Sequence, residues 1–395
     1  MFTVVVVTGT RAEYGLLRPV LQKLALSRAI SPRLLVTGAH LSREYGYTVT
    51  EIEADASLGI AIDERLDILS QPVGEGRPAT ARRVGLCLAG CTAYFEKTNP
   101  DAVLLLGDRY EVFAAAQAAA LLGIPVAHIS GGDVTSGADD EWFRHCITKL
   151  AALHFPSCEE YRARVIRMGE EPGRVFNVGG LGDENIRALP LLGYEELQKD
   201  LGFALPRPYA LVTFHPETQS GQSPEEQADA LLAAMRANPQ LFYLCTKANA
   251  DAGGEIINNR LESFCRENGN AVLVASLGVL RYLSAMKHAA LVLGNSSSGV
   301  VETPSFGTPC VNIGNRQSGR LISENILCCP AEAAAVGAAL QTVLTPAFTQ
   351  KASAAKSPYN GGDTSGEIVS VLEQFLASGK IYAPKVFYDG PFNNV

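Results

Sequence analysis

The residues able to do chemistry sit in short polar clusters between apolar stretches. Three clusters are acidic: Gly107-Asp108-Arg109-Tyr110-Glu111, His128-Ile129-Ser130-Gly131-Gly132-Asp133, and Asp139-Asp140-Glu141, the last just ahead of Arg144 and His145. Crowded carboxylates raise one another's pKa, which suits them to move protons near neutral pH. A lone carboxylate at a helix start is more often a cap or a partner of the helix dipole, and that reading is the default for Asp139 and Glu141. Asp108, Asp133 and Asp140, if presented together, would form an acid–base set.

A second group of clusters suits an anion. Thr8-Gly9-Thr10-Arg11-Ala12-Glu13 and Gly314-Asn315-Arg316-Gln317 join Arg109 in offering guanidinium groups, whose forked donors match phosphate. The small residues of Gly294-Asn295-Ser296-Ser297-Ser298-Gly299 let backbone N–H groups approach an anion at a helix N-terminus. Phe214-His215-Pro216-Glu217-Thr218 and Thr246-Lys247-Ala248-Asn249 complete the set. Each has a plainer use alone: Gly and Ser make turns, and Asn295 or Ser296 can cap a helix. No GxGxxG follows the first apolar run and no GxxxxGK[ST] occurs, which disfavours NAD and P-loop chemistry.

The elements that position these clusters are short β-branched or aliphatic runs, each followed by a helical pattern. In the first half they are Thr3–Thr8, Leu34–Thr37, Ala102–Leu106, Pro125–Ile129, Leu153–Phe155 and Val175–Val178. In the second half they are Tyr209–Phe214, Leu241–Cys245, Ala271–Val274, Leu291–Leu293 and Pro309–Ile313. Continuously apolar strands alternating with helices imply α/β domains with parallel sheets covered on both faces. Ligands of such sheets bind beyond the strand carboxyl ends, and seven of the eight polar clusters, all but Asp139–Glu141, fall there. Leu189-Pro190 and Pro206-Arg207-Pro208 mark a connection, and Ser357–Gly362 a second break. The expected organisation is two Rossmann-like doubly wound domains facing a cleft. Residues 1–183 form one and 208–356 the other, and a last helix within 363–395 packs back on the first.

Composition fits this. A chain of 395 residues exceeds one ordinary core, and 47% hydrophobic with 19% charged residues is globular rather than disordered. The net charge of −8 argues against nucleic-acid and anionic-membrane partners. No run is long enough to span a bilayer, and Met1–Thr8 lacks the basic start of a signal peptide, so a cytoplasmic location is expected. The nine cysteines are scattered without a CxxC pair, so no metal site is expected and buried thiols in a reducing compartment are.

Seven of these segments, in one order from residue 4 to about residue 363, resemble the hydrolysing UDP-N-acetylglucosamine 2-epimerases of sialic acid and legionaminic acid pathways. They are Val7–Gly15, Leu106–Glu111, His128–Asp133, Arg144–Lys149, Phe214–Thr218, Gly294–Gly299 and Gly314–Gln317. The resemblance implies a GT-B-like pair of Rossmann domains, no cofactor, and a homo-oligomer, dimer or tetramer. It also implies conversion of UDP-GlcNAc and water to N-acetylmannosamine and UDP, through loss of UDP to a glycal and rehydration. Carried over by position, Asp108, Asp133 and Asp140 match acid–base carboxylates, and His215 a histidine that assists departure of UDP. Arg11 and Arg109 match residues near the diphosphate and sugar. Asn249, Ser296, Ser297, Glu302 and Arg316 match nucleotide contacts, with Glu302 accepting from the ribose hydroxyls.

Many relatives carry Glu where this chain has Asp133. The side chain, one methylene shorter, leaves open a bulkier 4-acetamido-6-deoxy UDP-sugar. Three other readings stand beside the main one: a GT-B glycosyltransferase, a non-catalytic UDP-sugar sensor, and an epimerase that keeps UDP on its product.

Overall fold

Valine-rich runs such as Val4-Val5-Val6-Val7 are buried along their whole length, as strands covered on both faces must be. The computed structural model describes residues 1–74, 76–135, 139–217, 220–249 and 253–390. Thr218 of the cluster beginning at Phe214 lies outside them. The chain divides into two compact units, residues 1–133, 140–185 and 359–395 in one, residues 134–139 and 186–358 in the other.

The first unit holds β1 (Phe2–Thr8), β2 (Ile30–Thr37), β3 (Ile62–Leu66), β4 (Ala102–Leu106), β5 (Val126–Ile129) and β6 (Leu153–Phe155). All pairings are parallel, in the order β3-β2-β1-β4-β5-β6. The second unit holds β7 (Tyr209–Thr213), β8 (Phe242–Thr246), β9 (Ala271–Val274), β10 (Leu291–Gly294), β11 (Cys310–Ile313) and β12 (Ile326–Cys329). It repeats the same winding as β12-β11-β10-β7-β8-β9. Each sheet therefore reverses direction once, between β1 and β4 and between β7 and β10. Such reversals open a crevice at the strand carboxyl ends.

The edge strands β3 and β12 are additions to the expected set. Ile62-Asp63-Glu64-Arg65-Leu66 is half exposed and carries three charges, so no apolar run marks it. Val175–Val178, expected as a strand, forms only one parallel bridge from Val175 to His154. With β6 only three residues long, the ladder there has little to extend along.

Two helices cover one face of the first sheet. Leu17, Val20, Leu21 and Leu24 of helix Arg11–Leu26 meet Ile368, Leu372 and Leu376 of helix Thr364–Ala377, all buried at 0–2% exposure. The late helix is also tied by polar bonds. Thr364 Oγ1 donates to the Val178 carbonyl at 2.8 Å, and the Ser365 amide and hydroxyl donate to the Glu184 carboxylate at 2.7 and 2.5 Å. Gly179, at φ +81°, allows the close approach, because a Cβ there would lie 2.5 Å from the Gly361 Cα. On the opposite face Cys87, Cys91 and Phe95 of helix Gly76–Thr98 pack against the alanines of helix Tyr110–Leu121. Among the described residues no helix is long and apolar enough to cross a membrane.

Candidate active site

In the first unit the loop after β1 is built by its own helix start. Thr10 and Glu13 form a capping box: the Glu13 amide donates to Thr10 Oγ1, and Glu13 Oε2 accepts from the Gly9 and Thr10 amides at 2.7 and 3.2 Å. Arg11 occupies the first helical position, where a cation opposes the helix dipole.

Arg109, after β4, is buried, with Nε 3.4 Å from Oε2 of the fully buried Glu111 and its guanidinium 5.5 Å from the Tyr110 ring centroid. Glu111 fits only because Gly38 has no side chain: a Cβ there would come 2.7 Å from Glu111 Oε1. Burial, followed by the neighbouring Glu111, pushes Glu13 from its ordinary 4.5 to about 8.

The acidic clusters meet on Arg144, a residue given no role in the sequence reading. Its side chain is fully buried. Nε donates to Asp108 Oδ2 at 2.9 Å and Nη2 donates to the same oxygen. Nη1 donates to the Asp133 carbonyl at 2.9 Å and to Glu141 Oε2 at 2.7 Å. Desolvation works against this charge, but Asp108, Asp133 and Glu141 outweigh it and hold the guanidinium above its ordinary value. Asp108, Glu141 and the Asp133 backbone thus gather around a buried cation. Glu141 is more than the dipole partner expected, since its other oxygen also meets His145 Nε2 at 2.8 Å. Asp140 is the first residue of helix Asp140–Leu150, which carries Glu141 and Arg144. Spacing held a clue, because Asp140 and Glu141 lie four and three residues before Arg144, within reach along one helix.

His128, on β5, braces this loop set. Its Nε2 lies 2.8 Å from the Gly107 carbonyl and its Nδ1 3.2 Å from Thr148 Oγ1. A carbonyl only accepts, so Nε2 carries the proton and Nδ1 accepts from the hydroxyl. Complete burial pulls the ring down to about 3, which keeps it neutral. His128 thus links the residue before Asp108 to the helix carrying Arg144.

The second unit organises its loops around Asn295, which follows β10. Instead of capping a helix, its side chain clasps the loop after β7. Oδ1 accepts from the His215 amide at 2.7 Å, and Nδ2 donates to the His215 carbonyl at 2.8 Å. The Asn295 carbonyl accepts from Gln317 Nε2 at 2.9 Å and Arg316 Nη1 at 3.4 Å, tying in the loop after β11. Glu217 adds a second tie there, accepting from the Asn315 amide at 2.9 Å. His215 is buried, and its Nδ1 accepts from the Asn249 amide at 3.3 Å, so the neutral ring carries its proton on Nε2. His215, Asn249 and Arg316 are thereby brought into one bonded framework.

Ser296 and Ser297 open helix Ser297–Val301, and neither caps it. The helix is five residues long, so the loop offers individual amides rather than the large dipole expected. Glu302 closes the turn, takes a hydrogen bond from Ser298 Oγ, and is pushed by burial to about 7. Among the described residues no group of three His, Cys, Asp or Glu side chains is arranged to hold a metal ion.

A family profile for UDP-N-acetylglucosamine 2-epimerase matches residues 22–373. The chain belongs to that family. It is 38% identical over 323 residues to the GDP/UDP-N,N'-diacetylbacillosamine 2-epimerase (hydrolyzing) of Campylobacter jejuni, covering 82% of this chain and 83% of the relative. It is 37% identical over 393 residues to the polysialic acid biosynthesis protein P7 of Escherichia coli, covering 99% and 98%. The fold is that of the UDP-GlcNAc 2-epimerase of Neisseria meningitidis, solved bound to UDP-GlcNAc. That match has a TM-score of 0.77 at 19% identity, covering 94% of this chain and all of the other. The two Rossmann-like domains of this 2-epimerase family member are therefore GT-B-like.

Proposed function

We propose that this protein is a hydrolysing 2-epimerase whose substrate is a UDP-linked 4-acetamido-6-deoxy sugar of the diacetylbacillosamine type. The proton at C2 is removed, the C1–O bond to UDP breaks with its electron pair leaving on UDP, and a glycal with a C1–C2 double bond remains. Water then adds hydroxyl at C1 and a proton at C2 from the opposite face. One UDP-sugar and one water yield UDP and the free 2-epimer.

Asp108, Asp133 and Asp140 are assigned to the proton transfers. Arg144 holds the carboxylate of Asp108 and the backbone of Asp133 in place, so the acid–base geometry is set before substrate arrives. Arg11 and Arg109 are assigned to the diphosphate and sugar, and His215 to the departing UDP, where Nε2–H can donate a hydrogen bond to the leaving oxygen. Asn249, Ser296, Ser297, Glu302 and Arg316 are assigned to the nucleotide.

The observation that carries the substrate choice is the 38% identity, over most of both chains, with a relative named for diacetylbacillosamine. A second reading, UDP-GlcNAc to N-acetylmannosamine, is favoured by the end-to-end match to the polysialic acid biosynthesis protein. Steady-state kinetics on the two UDP-sugars decide between them. The proposal expects kcat/KM higher by at least about tenfold on the diacetamido sugar, the worth of about 1.4 kcal/mol of differential transition-state binding. A preference for UDP-GlcNAc hands the assignment to the second reading.

A further inference from the structure

The segment after the last long helix runs along the first unit to the helix that carries Arg144. Tyr382 Oη donates to Asp101 Oδ1 at 3.3 Å, and the Tyr388 amide donates to the Gly169 carbonyl at 2.9 Å. The Phe387 ring lies 5.0 Å from Lys149 Nζ. Between them Lys385 points inward. Its ammonium donates to the carbonyls of Thr148, Lys149 and Ala151 at 3.2, 2.7 and 2.8 Å, the last turn of helix Asp140–Leu150 and the residue just beyond it. These are carbonyls a helix leaves without internal partners, at the end where its dipole favours a cation.

The ammonium is itself anchored. Glu170, almost fully buried, receives Lys385 at 2.6 Å, Lys149 at 2.5 Å and His154 Nε2 at 3.0 Å. Burial opposes its charge, but the bonds from His154, Lys149 and Lys385 overcome this and draw Glu170 down to about 2. Arg174 is a further charged group at this spot, paired with Glu171 at 3.2 Å; its Nη2 donates to the Ala383 carbonyl at 3.5 Å and Nη1 to the Ala152 carbonyl at 3.2 Å.

A continuous path leads from here to the acidic cluster. Lys385 holds the Thr148 carbonyl, Thr148 Oγ1 bonds His128, and His128 bonds the Gly107 carbonyl, next to Asp108. At the other end of the same eleven-residue helix stand Asp140, Glu141 and Arg144.

We propose that Lys385 is a positioning residue for the reaction: the C-terminal strap fixes the far end of helix Asp140–Leu150 and thereby the set of Asp108, Asp133, Asp140 and Arg144. The role rests on the epimerase reading above. Small displacements of such groups cost rate rather than affinity.

Lys385→Met keeps the aliphatic stem and removes the ammonium, while Glu170 keeps Lys149 and His154. Its kcat should fall roughly 10- to 100-fold, with KM and UDP affinity near wild type. Lys385→Arg should recover most of the rate, and Lys380→Ala, an exposed lysine ahead of the strap, should change nothing. Hydrogen exchange of the amides in residues 140–150, measured without substrate, should quicken in Lys385→Met. Phe387→Ala, which disturbs no buried charge, should show a weaker version of both effects if Lys385→Met does not fold. Wild-type kcat and unchanged exchange in the Met or Phe387→Ala protein overturn the proposal, as does a loss confined to KM. A wild-type protein that releases no UDP from any UDP-sugar counts against the epimerase reading instead, and the exchange data then decide the strap alone.

Discussion

Asp108 combines a position at a sheet crevice with a fixed orientation, since one oxygen is held twice by Arg144. Asp108→Asn preserves shape and removes the base. It should lower kcat by about 10²–10⁴ with little change in UDP affinity, measured by steady-state kinetics and calorimetry; near-normal turnover would reduce Asp108 to a turn residue. Glu302 carries a pH signature. Its value near 7 means the carboxylate able to accept from ribose hydroxyls forms as pH rises through 7. Binding of uridine, which has no ionising phosphate, should therefore strengthen between pH 6 and 8 in wild type and stay flat in Glu302→Gln. Glu302→Ala should weaken UDP binding by about 1.5–3 kcal/mol. Glu13 concerns stability instead. Its folded value, about 8, lies above its ordinary 4.5, so its contribution is complete below that ordinary value and is lost as pH rises towards 8. Glu13→Gln retains an acceptor for the Gly9 and Thr10 amides, and its melting temperature should fall less over that window. Asp108, Asp133, Arg11 and His215 stand out in the sequence because polar residues interrupt apolar runs there. Arg144 and Asn295 lie in the same clusters, but what they bond is hidden there, because their partners come from loops up to 80 residues away.

At the scale of elements, the central strands were legible because burial on both faces leaves mostly apolar residues. The edges were not: β3 sets three consecutive charges between one isoleucine and one leucine, and β12 is only half covered. The same logic explains Val175–Val178, an apolar run with a three-residue neighbour to pair with. Helix Thr364–Ala377 was legible as a helix from its apolar spacing, while the bonds from Thr364 and Ser365 that seat it are tertiary. Leu372, fully buried between this helix and the first sheet, offers a check on that packing. Leu372→Ala should cost about 2–5 kcal/mol of folding free energy by denaturant titration. A loss under about 1 kcal/mol would mean the helix adds little to the core.

At the scale of the molecule, the same six-strand winding occurs twice, and in both copies the polar residues collect at the loops beside the reversal of strand order. The proposed anionic ligand is compatible with a net charge of −8, because Arg11, Arg109 and Arg316 stand at those loops. The proposed reaction loses UDP and adds water with inversion at C2, and one measurement reaches that directly. The protein is incubated with UDP-N,N'-diacetylbacillosamine in deuterium oxide, without any acceptor, and followed by NMR. Free UDP should appear in step with a reducing 2-epimer whose C2 carries deuterium in place of hydrogen. Product that retains UDP, release that waits for an acceptor, or a free sugar with its original C2 hydrogen and configuration would contradict it.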